Sequence, residues 1–314
     1  MKKFLQVVFG IVFVGFVLGT HIVFAAGNNA VVESAFNAAS KVQKRGPAEI
    51  TLVDQAVVHL PAGFSFIPRP EAERIMVALG NSKASSLLGI IFPDNDNDDY
   101  MVVVEYFPEG YIKDDDAKNW NTKDLFNSLK EGTDEENKER AKKGIAELEI
   151  IGWVQEPKYD AAKKHLVWAM SAKEKGANAS PGQSVNYNTY ILGREGYLTM
   201  NLITDLDKVE MYKPAVINLL DHTEFVAGKK YTDFNSSTDK VAAYGLAALV
   251  AGAAVKKLGI FALLVAFVLK WIKVLALSVL GLGALARKFW RKNKKVEPTV
   301  EKVEIAESKT EKKE

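Results

Sequence analysis

The sequence predicts an α+β fold: a mainly antiparallel sheet with flanking helices in an exported domain, followed by a C-terminal transmembrane helical region. Two observations carry this prediction. Apolar residues concentrate at both ends of the 314-residue chain, in 1–26 and 241–286, and leave a polar middle. Within that middle, segments of strand periodicity come in runs with helical segments between the runs, an order that disfavours a parallel βαβ fold.

The first residues resemble a secretory signal peptide. Lys2 and Lys3 supply a positive start, residues 4–17 are almost wholly apolar, and Ala25 and Ala26 offer small residues for cleavage. The alternative is an uncleaved anchor, because 4–26 is also long enough to span a bilayer. Under either interpretation 1–26 is a signal and the chain that follows is exported.

The exported domain is assigned to residues 27–236, with elements that follow from apolar periodicity and turn residues. The predicted strands are 50–53, 57–60, 64–67, 87–92, 100–107, 148–155, 165–172, 185–192 and 197–204. The predicted helices are 71–79, 122–146 and 209–222. We expect a break at Gly132 in the second helix, and at Pro214 either a kink or the start of the stronger half of the third.

Residues 237–286 are predicted to form a membrane helical region. As a helix, 241–255 is about 22 Å long at ~1.5 Å per residue, which is shorter than the ~30 Å hydrocarbon core. Residues 258–286 are long enough, although they include Lys270 and Lys273, which must snorkel, face a partner helix or lie at an interface. One crossing is the simplest arrangement, and three crossings stay open.

Residues 287–314 form a basic and then disordered tail. Six Lys and Arg residues lie in 287–295 with no acid among them, which places this side of the membrane region in the cytoplasm. The residues after 295 alternate Lys and Glu without an apolar stripe, a pattern typical of a solvated segment.

Charge and residue content exclude several classes of function. Residues 27–236 hold 24 Lys and Arg against 32 Asp and Glu, a net charge of −8 that would repel nucleic acid. The chain has no cysteine, hence no disulfide, thiolate nucleophile or iron–sulfur cluster. It also lacks a Gly-x-Ser-x-Gly elbow, a phosphate loop and a dinucleotide fingerprint, so no cofactor is predicted.

Several short segments resemble a known family. They are 110–117 (GYIKDDDA), 152–160 (GWVQEPKYD), 166–169 (LVWA), 186–188 (NYN), 192–196 (LGREG) and 239–246 (DKVAAYGL). In this order they resemble the bacterial membrane-anchored family called domain of unknown function 2167. The resemblance implies an exported domain with a C-terminal membrane region, and it brings no catalytic residue with it. It fits a location in the bacterial inner membrane, with the bulk of the chain in the periplasm.

An acidic turn invites comparison with a calcium loop. Asp94, Asp96, Asp98 and Glu105 occupy positions 1, 3, 5 and 12 of that pattern. However, Asp99 stands at position 6, where the sharp turn needs Gly, and Glu105 falls inside a predicted strand. We interpret the segment as an exposed hairpin turn and predict no metal site.

A second acidic cluster, Asp114, Asp115 and Asp116, is a candidate for acid–base chemistry. Carboxylates this close in sequence can raise one another's pKa and so favour proton transfer near neutral pH. The alternative is an acidic loop that leads into the helix at Thr122.

Trp153, Tyr159 and Arg194 are the candidate partner-binding residues. The two aromatics lie in a hairpin where they would line a groove, and Arg194 lies in a tight turn where its guanidinium would bind a carboxylate or phosphate. The alternatives are packing in the sheet core for the aromatics and an ion pair with an acid such as Asp160 for Arg194.

Together these features predict a membrane-anchored cell-envelope protein with a periplasmic binding or scaffolding domain. Its partner would be another envelope or membrane protein. The alternative function is an envelope hydrolase with an acidic site at Asp114 to Asp116. Enzymatic activity and oligomeric state stay open at this point.

Overall fold

The computed structural model describes residues 29–142, 146–176 and 184–251. The predicted signal peptide, residues 252–286 of the predicted membrane region and the predicted tail lie outside these ranges. No helix within them combines the length and the apolar character that a membrane crossing requires.

The described residues form five helices, two short 3₁₀ helices and eleven strands. The helices are α1 Asn29–Ser40, α2 Arg69–Ala78, α3 Thr122–Lys142, α4 Val209–Asp221 and α5 Leu246–Val250, with 3₁₀ turns at Asp115–Asn119 and Tyr231–Asp233. The strands are β1 Lys44–Arg45, β2 Ala48–Leu52, β3 Ala56–Leu60, β4 Phe64–Pro68, β5 Leu87–Pro93, β6 Met101–Phe107, β7 Leu148–Asp160, β8 His165–Glu174, β9 Ser184–Leu192, β10 Tyr197–Asp205 and β11 Thr223–Phe225.

The strands make two antiparallel sheets. The main sheet has the order β1-β4-β5-β6-β10-β9-β8-β7, and the small sheet has the order β11-β3-β2. All strands predicted from the sequence are present, and the α+β class with flanking helices is confirmed.

One face of the main sheet packs against the small sheet and α4. Leu198, Met200 and Leu202 of β10 point to this face, as their alternation predicts, and all three are fully buried. They share one apolar cluster with residues of β3 such as Val58 and residues of α4 such as Val216. Alternate residues of β10 therefore point to the opposite face, which also needs cover.

The opposite face carries two separate apolar clusters. In the first, Phe36 of α1 and Ile75 of α2 cover strands β4 to β6. In the second, residues of α3 and α5 such as Leu129 and Leu246 cover the β8 and β9 side, where Trp168 is fully buried. The central strand β10 is consequently buried on both faces.

Helix α3 runs without a break, contrary to the prediction of a break at Gly132. Leu129 and Thr133 flank the glycine and are both buried, and Thr133 Oγ1 donates to the Leu129 carbonyl at 2.9 Å. A single Gly in a helix costs about 1 kcal/mol of helix stability, and the packing of this face outweighs that cost. Helix α4 likewise includes Pro214.

The two edges of the main sheet are both protected. At the start of β7 the Asn137 side chain pairs with Leu148: its Nδ2 donates to the Leu148 carbonyl and its Oδ1 accepts from the Leu148 amide, each at 2.8 Å. Further along, β7 contains Pro157 and several irregularities of register. The opposite edge is β1, a two-residue strand of Lys and Arg. Such features hinder the addition of a further strand.

Residues 237–251, which the sequence analysis placed in the membrane region, pack against the α+β domain. Val241 forms a bridge with Tyr111, and Leu246, Leu249 and Val250 join the second cluster over Trp168. Leu246 and Val250 are fully buried. This segment therefore completes the cover of the main sheet.

We expect a fragment of residues 29–251 to be more stable than a fragment of residues 29–236. Burial of an apolar side chain of this size contributes about 1.5–3 kcal/mol, and the shorter fragment loses three of them. Its thermal midpoint should fall by at least about 10 °C, as measured by circular dichroism. Equal midpoints would show that the α5 contacts contribute nothing to the stability of the domain.

Candidate functional site

Asp114 is the centre of a polar cluster that the structure assembles from distant parts of the chain. Its Oδ2 accepts from Tyr159 Oη at 2.7 Å and from Lys164 Nζ at 2.9 Å. Lys164 has a left-handed backbone, with φ of 60°, and its ammonium lies 4.6 Å from the centre of the Tyr231 ring. Asp114, a candidate from the acidic cluster, thus contacts Tyr159, a candidate partner-binding residue.

The pKa of Asp114 is lowered, whereas the sequence analysis expected its neighbouring carboxylates to raise it. Burial raises the pKa of Asp114, but the hydrogen bonds from Lys164 and Tyr159, the positive charge of Lys164 and the Tyr231 hydroxyl together lower it more. Burial and the hydrogen bond to Asp114 raise the pKa of Tyr159. Asp114 is therefore held as an anion and is poorly suited to act as a general acid.

Asp116 caps the short helix α5. Its two carboxylate oxygens accept from the amides of Leu246 at 3.2 Å and Ala247 at 3.0 Å, the orphan donors of a helix N-terminus. A Cβ on Gly245 would lie 2.5 Å from Asp116 Oδ2, so this contact requires glycine. Asp115, between the two engaged acids, is exposed.

Arg194 pairs with Asp239 and not with Asp160, the partner suggested in the sequence analysis. Its Nε and Nη2 donate to the two Asp239 oxygens at 2.6 and 2.8 Å, and its Nη1 donates to the Gly228 carbonyl at 3.1 Å. The hydrogen bonds from Arg194 and from the Asn235 amide lower the pKa of Asp239. Asp160 instead accepts amides of its own hairpin turn, at Ala162 and Lys163.

Tyr111 joins these two groups of contacts. Its amide donates to the Lys240 carbonyl and its carbonyl accepts from the Ala242 amide, both at 2.8 Å. Its ring stacks on Phe234 with 3.8 Å between ring centres and lies 4.3 Å from Tyr231. We call this set of contacts the C-terminal clamp, formed by Tyr111, Asp114, Asp116, Tyr159, Lys164, Arg194, Tyr231, Phe234 and Asp239.

Trp153 lies outside the clamp. It is half-buried on β7 and packs against Phe126 of α3, with 5.4 Å between ring centres, and against Trp168, with 6.2 Å. Trp153, Tyr159 and Arg194 thus all contact other parts of the chain. Their role in binding a partner stays a prediction.

The acidic turn and Glu105 are not one site. Residues 94–97 are exposed, and Asp94 Oδ1 accepts from Ser65 Oγ at 2.5 Å. Glu105 instead accepts from Ser86 Oγ at 2.8 Å and is buried. Within the part of the chain that the structure describes, no group of three His, Asp or Glu side chains is placed to hold a metal ion.

The sequence matches the family described as protein of unknown function (DUF2167) over residues 44–283. The chain belongs to the DUF2167 family. No curated protein matches the DUF2167 chain.

Among solved structures, the DUF2167 chain is similar to the solution structure of cyanobacterial PsbP (CyanoP) from Synechocystis sp. PCC 6803. The two sequences are 11% identical, and the alignment covers 59% of this chain and 91% of that chain with a TM-score of 0.34. A similarity of that size supports no conclusion about fold or function.

Five clamp residues of this DUF2167 protein were not among the candidates predicted from the sequence. Lys164 binds Asp114, and Asp239 binds Arg194. Tyr231 contacts Lys164, Phe234 stacks on Tyr111, and Tyr111 bridges to Val241. Tyr111 and Asp239 lie inside the motifs 110–117 and 239–246, so these segments contained a signal. Lys164, Tyr231 and Phe234 lie outside those motifs, and their roles depend on contacts between residues distant in sequence.

We expect Asp114→Asn to reduce the free energy of unfolding by about 1–2 kcal/mol at pH 7, because it weakens two charge-assisted hydrogen bonds. The lowered pKa means that the carboxylate stabilises the fold above its ordinary pKa of 3.8, and that this contribution is lost as the pH falls further. Urea unfolding of the 29–251 fragment measures both effects.

Asp115→Asn is the matched control, because Asp115 is exposed and its replacement should change stability by less than about 0.5 kcal/mol. Equal losses for the two variants, or a loss at Asp114 that does not depend on pH, would contradict the contacts assigned to Asp114.

Proposed function

We propose that this protein is a membrane-anchored component of the bacterial cell envelope, with an exported domain that binds or scaffolds another envelope or membrane protein. The N-terminal signal, the apolar block at 258–286 and the basic segment at 287–295 support the anchoring and its orientation. The protein then lies in the inner membrane, with most of the chain in the periplasm and the tail in the cytoplasm.

The C-terminal clamp is the observation that carries this proposal. It fixes the C-terminal segment to the domain at Tyr231 and Asp239, and Asp116 of the clamp caps α5, whose Val250 is buried in the cluster over Trp168. The predicted membrane segment starts at 258, only a few residues further on. A folded domain that is followed so closely in sequence by a predicted anchor is consistent with a scaffold of the cell envelope.

The clamp also weighs against the hydrolase alternative. Asp114 is bound by Lys164 and Tyr159, and Asp116 is bound by two α5 amides. Two of the three candidate carboxylates thus stabilise the fold, and neither of these two is available to act together with the third, Asp115. General acid–base catalysis needs paired groups within reach of one substrate.

We expect residue 236 and the tail to lie on opposite sides of the membrane. The chain has no cysteine, so Ser236→Cys and Ser308→Cys each introduce a single reactive thiol. An impermeant maleimide should label Ser236→Cys in cells with a permeabilised outer membrane, and Ser308→Cys only after the inner membrane is disrupted. Labelling of both thiols under the same condition would contradict an odd number of crossings.

Cross-linking in intact cells tests the binding function. We expect the full-length protein to capture a defined envelope protein, and Trp153→Ala, Tyr159→Phe and Arg194→Ala to show whether these side chains contribute. The hydrolase becomes the better hypothesis under a different outcome: nothing specific is captured, and Asp115→Asn abolishes a cellular phenotype without lowering the thermal midpoint.

A further inference from the structure

A row of buried residues crosses the main sheet where its two helical layers meet. Glu105 on β6 is paired with Thr199 on β10, and Thr199 is paired with Tyr190 on β9. Along β6, Glu105 lies between Val103, which belongs to the α2 cluster, and Phe107, which belongs to the α5 cluster. The row therefore marks the seam between these clusters.

The row extends from the central strands to the C-terminal segment. Tyr190 Oη donates to the Leu249 carbonyl of α5 at 3.2 Å. Thr199 is fully buried, and Tyr190 and Leu249 are each 4% exposed, so this path is closed to solvent along its length. The pKa of Tyr190 is raised. Burial is the largest cause, and the negative charge of Glu105 adds a smaller effect.

Glu105 is a buried acid without a neutralising cation. It is 9% exposed, accepts one hydrogen bond from Ser86 Oγ at 2.8 Å, and lies beside the Thr199 hydroxyl, which makes no hydrogen bond of normal geometry. No Lys, Arg or His of the described ranges pairs with it. Burial raises the pKa of Glu105, and the two hydroxyls oppose that shift without cancelling it.

The other titratable groups at this seam cannot neutralise an ionised Glu105. Burial raises the pKa of Tyr190 and of Tyr197, which stay protonated, and Tyr244 beside them is also a phenol. On the α5 side, Asp116 and Glu109 are themselves acids. On the α2 side, the packed side chains form an apolar cluster. Water is then the remaining source of stabilisation for the charge, and its entry requires the seam to open.

We propose that Glu105 is a proton-binding site whose ionisation loosens the contact between α5 and the main sheet, so that the C-terminal clamp weakens as the pH rises. A group whose pKa is raised on folding stabilises the fold fully below its ordinary value, here 4.5, and less as the pH rises through its folded value. The seam opens toward α5 because α5 is one short helix, attached to the row by the Tyr190 hydrogen bond. This inference concerns contacts up to residue 251 and holds whether or not the following residues cross a membrane.

Hydrogen exchange of the full-length chain at pH 5 and pH 8 tests the proposal. After correction for the intrinsic exchange rate, the amides of α5 should lose protection by about tenfold or more at pH 8, whereas α1 and α2 should not change. Glu105→Gln should abolish this loss. It should also raise the thermal midpoint at pH 8 by about 5 °C and leave it unchanged at pH 4.

Glu131→Gln is the matched control, since it removes an exposed carboxylate from α3 and should retain the pH-dependent loss. If Glu105→Gln does not fold, Glu105→Leu takes its place. If neither variant folds, the proposal is tested by the hydrogen exchange of α5 in the wild type at the two pH values. The proposal is overturned if α5 in the wild type has the same protection at both pH values, or if Glu105→Gln keeps the pH-dependent loss. It is also overturned if the loss occurs in α1 and α2 instead of α5.

Discussion

The burial of β10 on both faces is the constraint on which the rest of the structure depends. A half-buried antiparallel strand needs one covering layer, whereas this strand, at the centre of eight, needs two. The small sheet and α4 supply the first layer. The second layer comes from two unconnected parts of the chain, α1 with α2 and α3 with α5. Because α5 belongs to the second, the domain is completed by residues that the sequence pattern assigned to the membrane.

The strands were predictable because apolar residues recur at every second position, as Leu198, Met200 and Leu202 show in β10. Helix α1 was not predicted, although the sequence contains its signal: Val32, Ala35, Phe36 and Ala39 follow helical spacing and are all buried. Strand β11 did not, because three residues carry no usable periodicity and their pairing with β3 is fixed by the small sheet.

Candidate site residues were easier to find than their partners. Asp114, Tyr159 and Arg194 are prominent in sequence, and the structure pairs Tyr159 with Asp114 and Arg194 with Asp239 of the C-terminal segment. The pairing of Arg194 with Asp239, 45 residues away, is decided by the path of that segment across the sheet. Local reasoning favoured Asp160, yet that carboxylate is already used by the amides of its own turn. The partner of Arg194 therefore depends on the tertiary path of the chain, which the spacing of residues in the sequence does not reveal.

The polar row at Glu105 shows that the second layer is not one continuous apolar core. An apolar residue at this position would pack as well as its neighbours Val103 and Phe107, so the buried acid is a cost that the rest of the fold must offset. The protected edges of the main sheet limit the ways in which another protein could bind to it. Asn137 and Pro157 hinder strand addition at β7, and β1 is too short and too charged to accept a strand. Under the proposed function, a partner would therefore not bind by adding a strand to the main sheet, and a loosened clamp would present it with a different surface from a closed one.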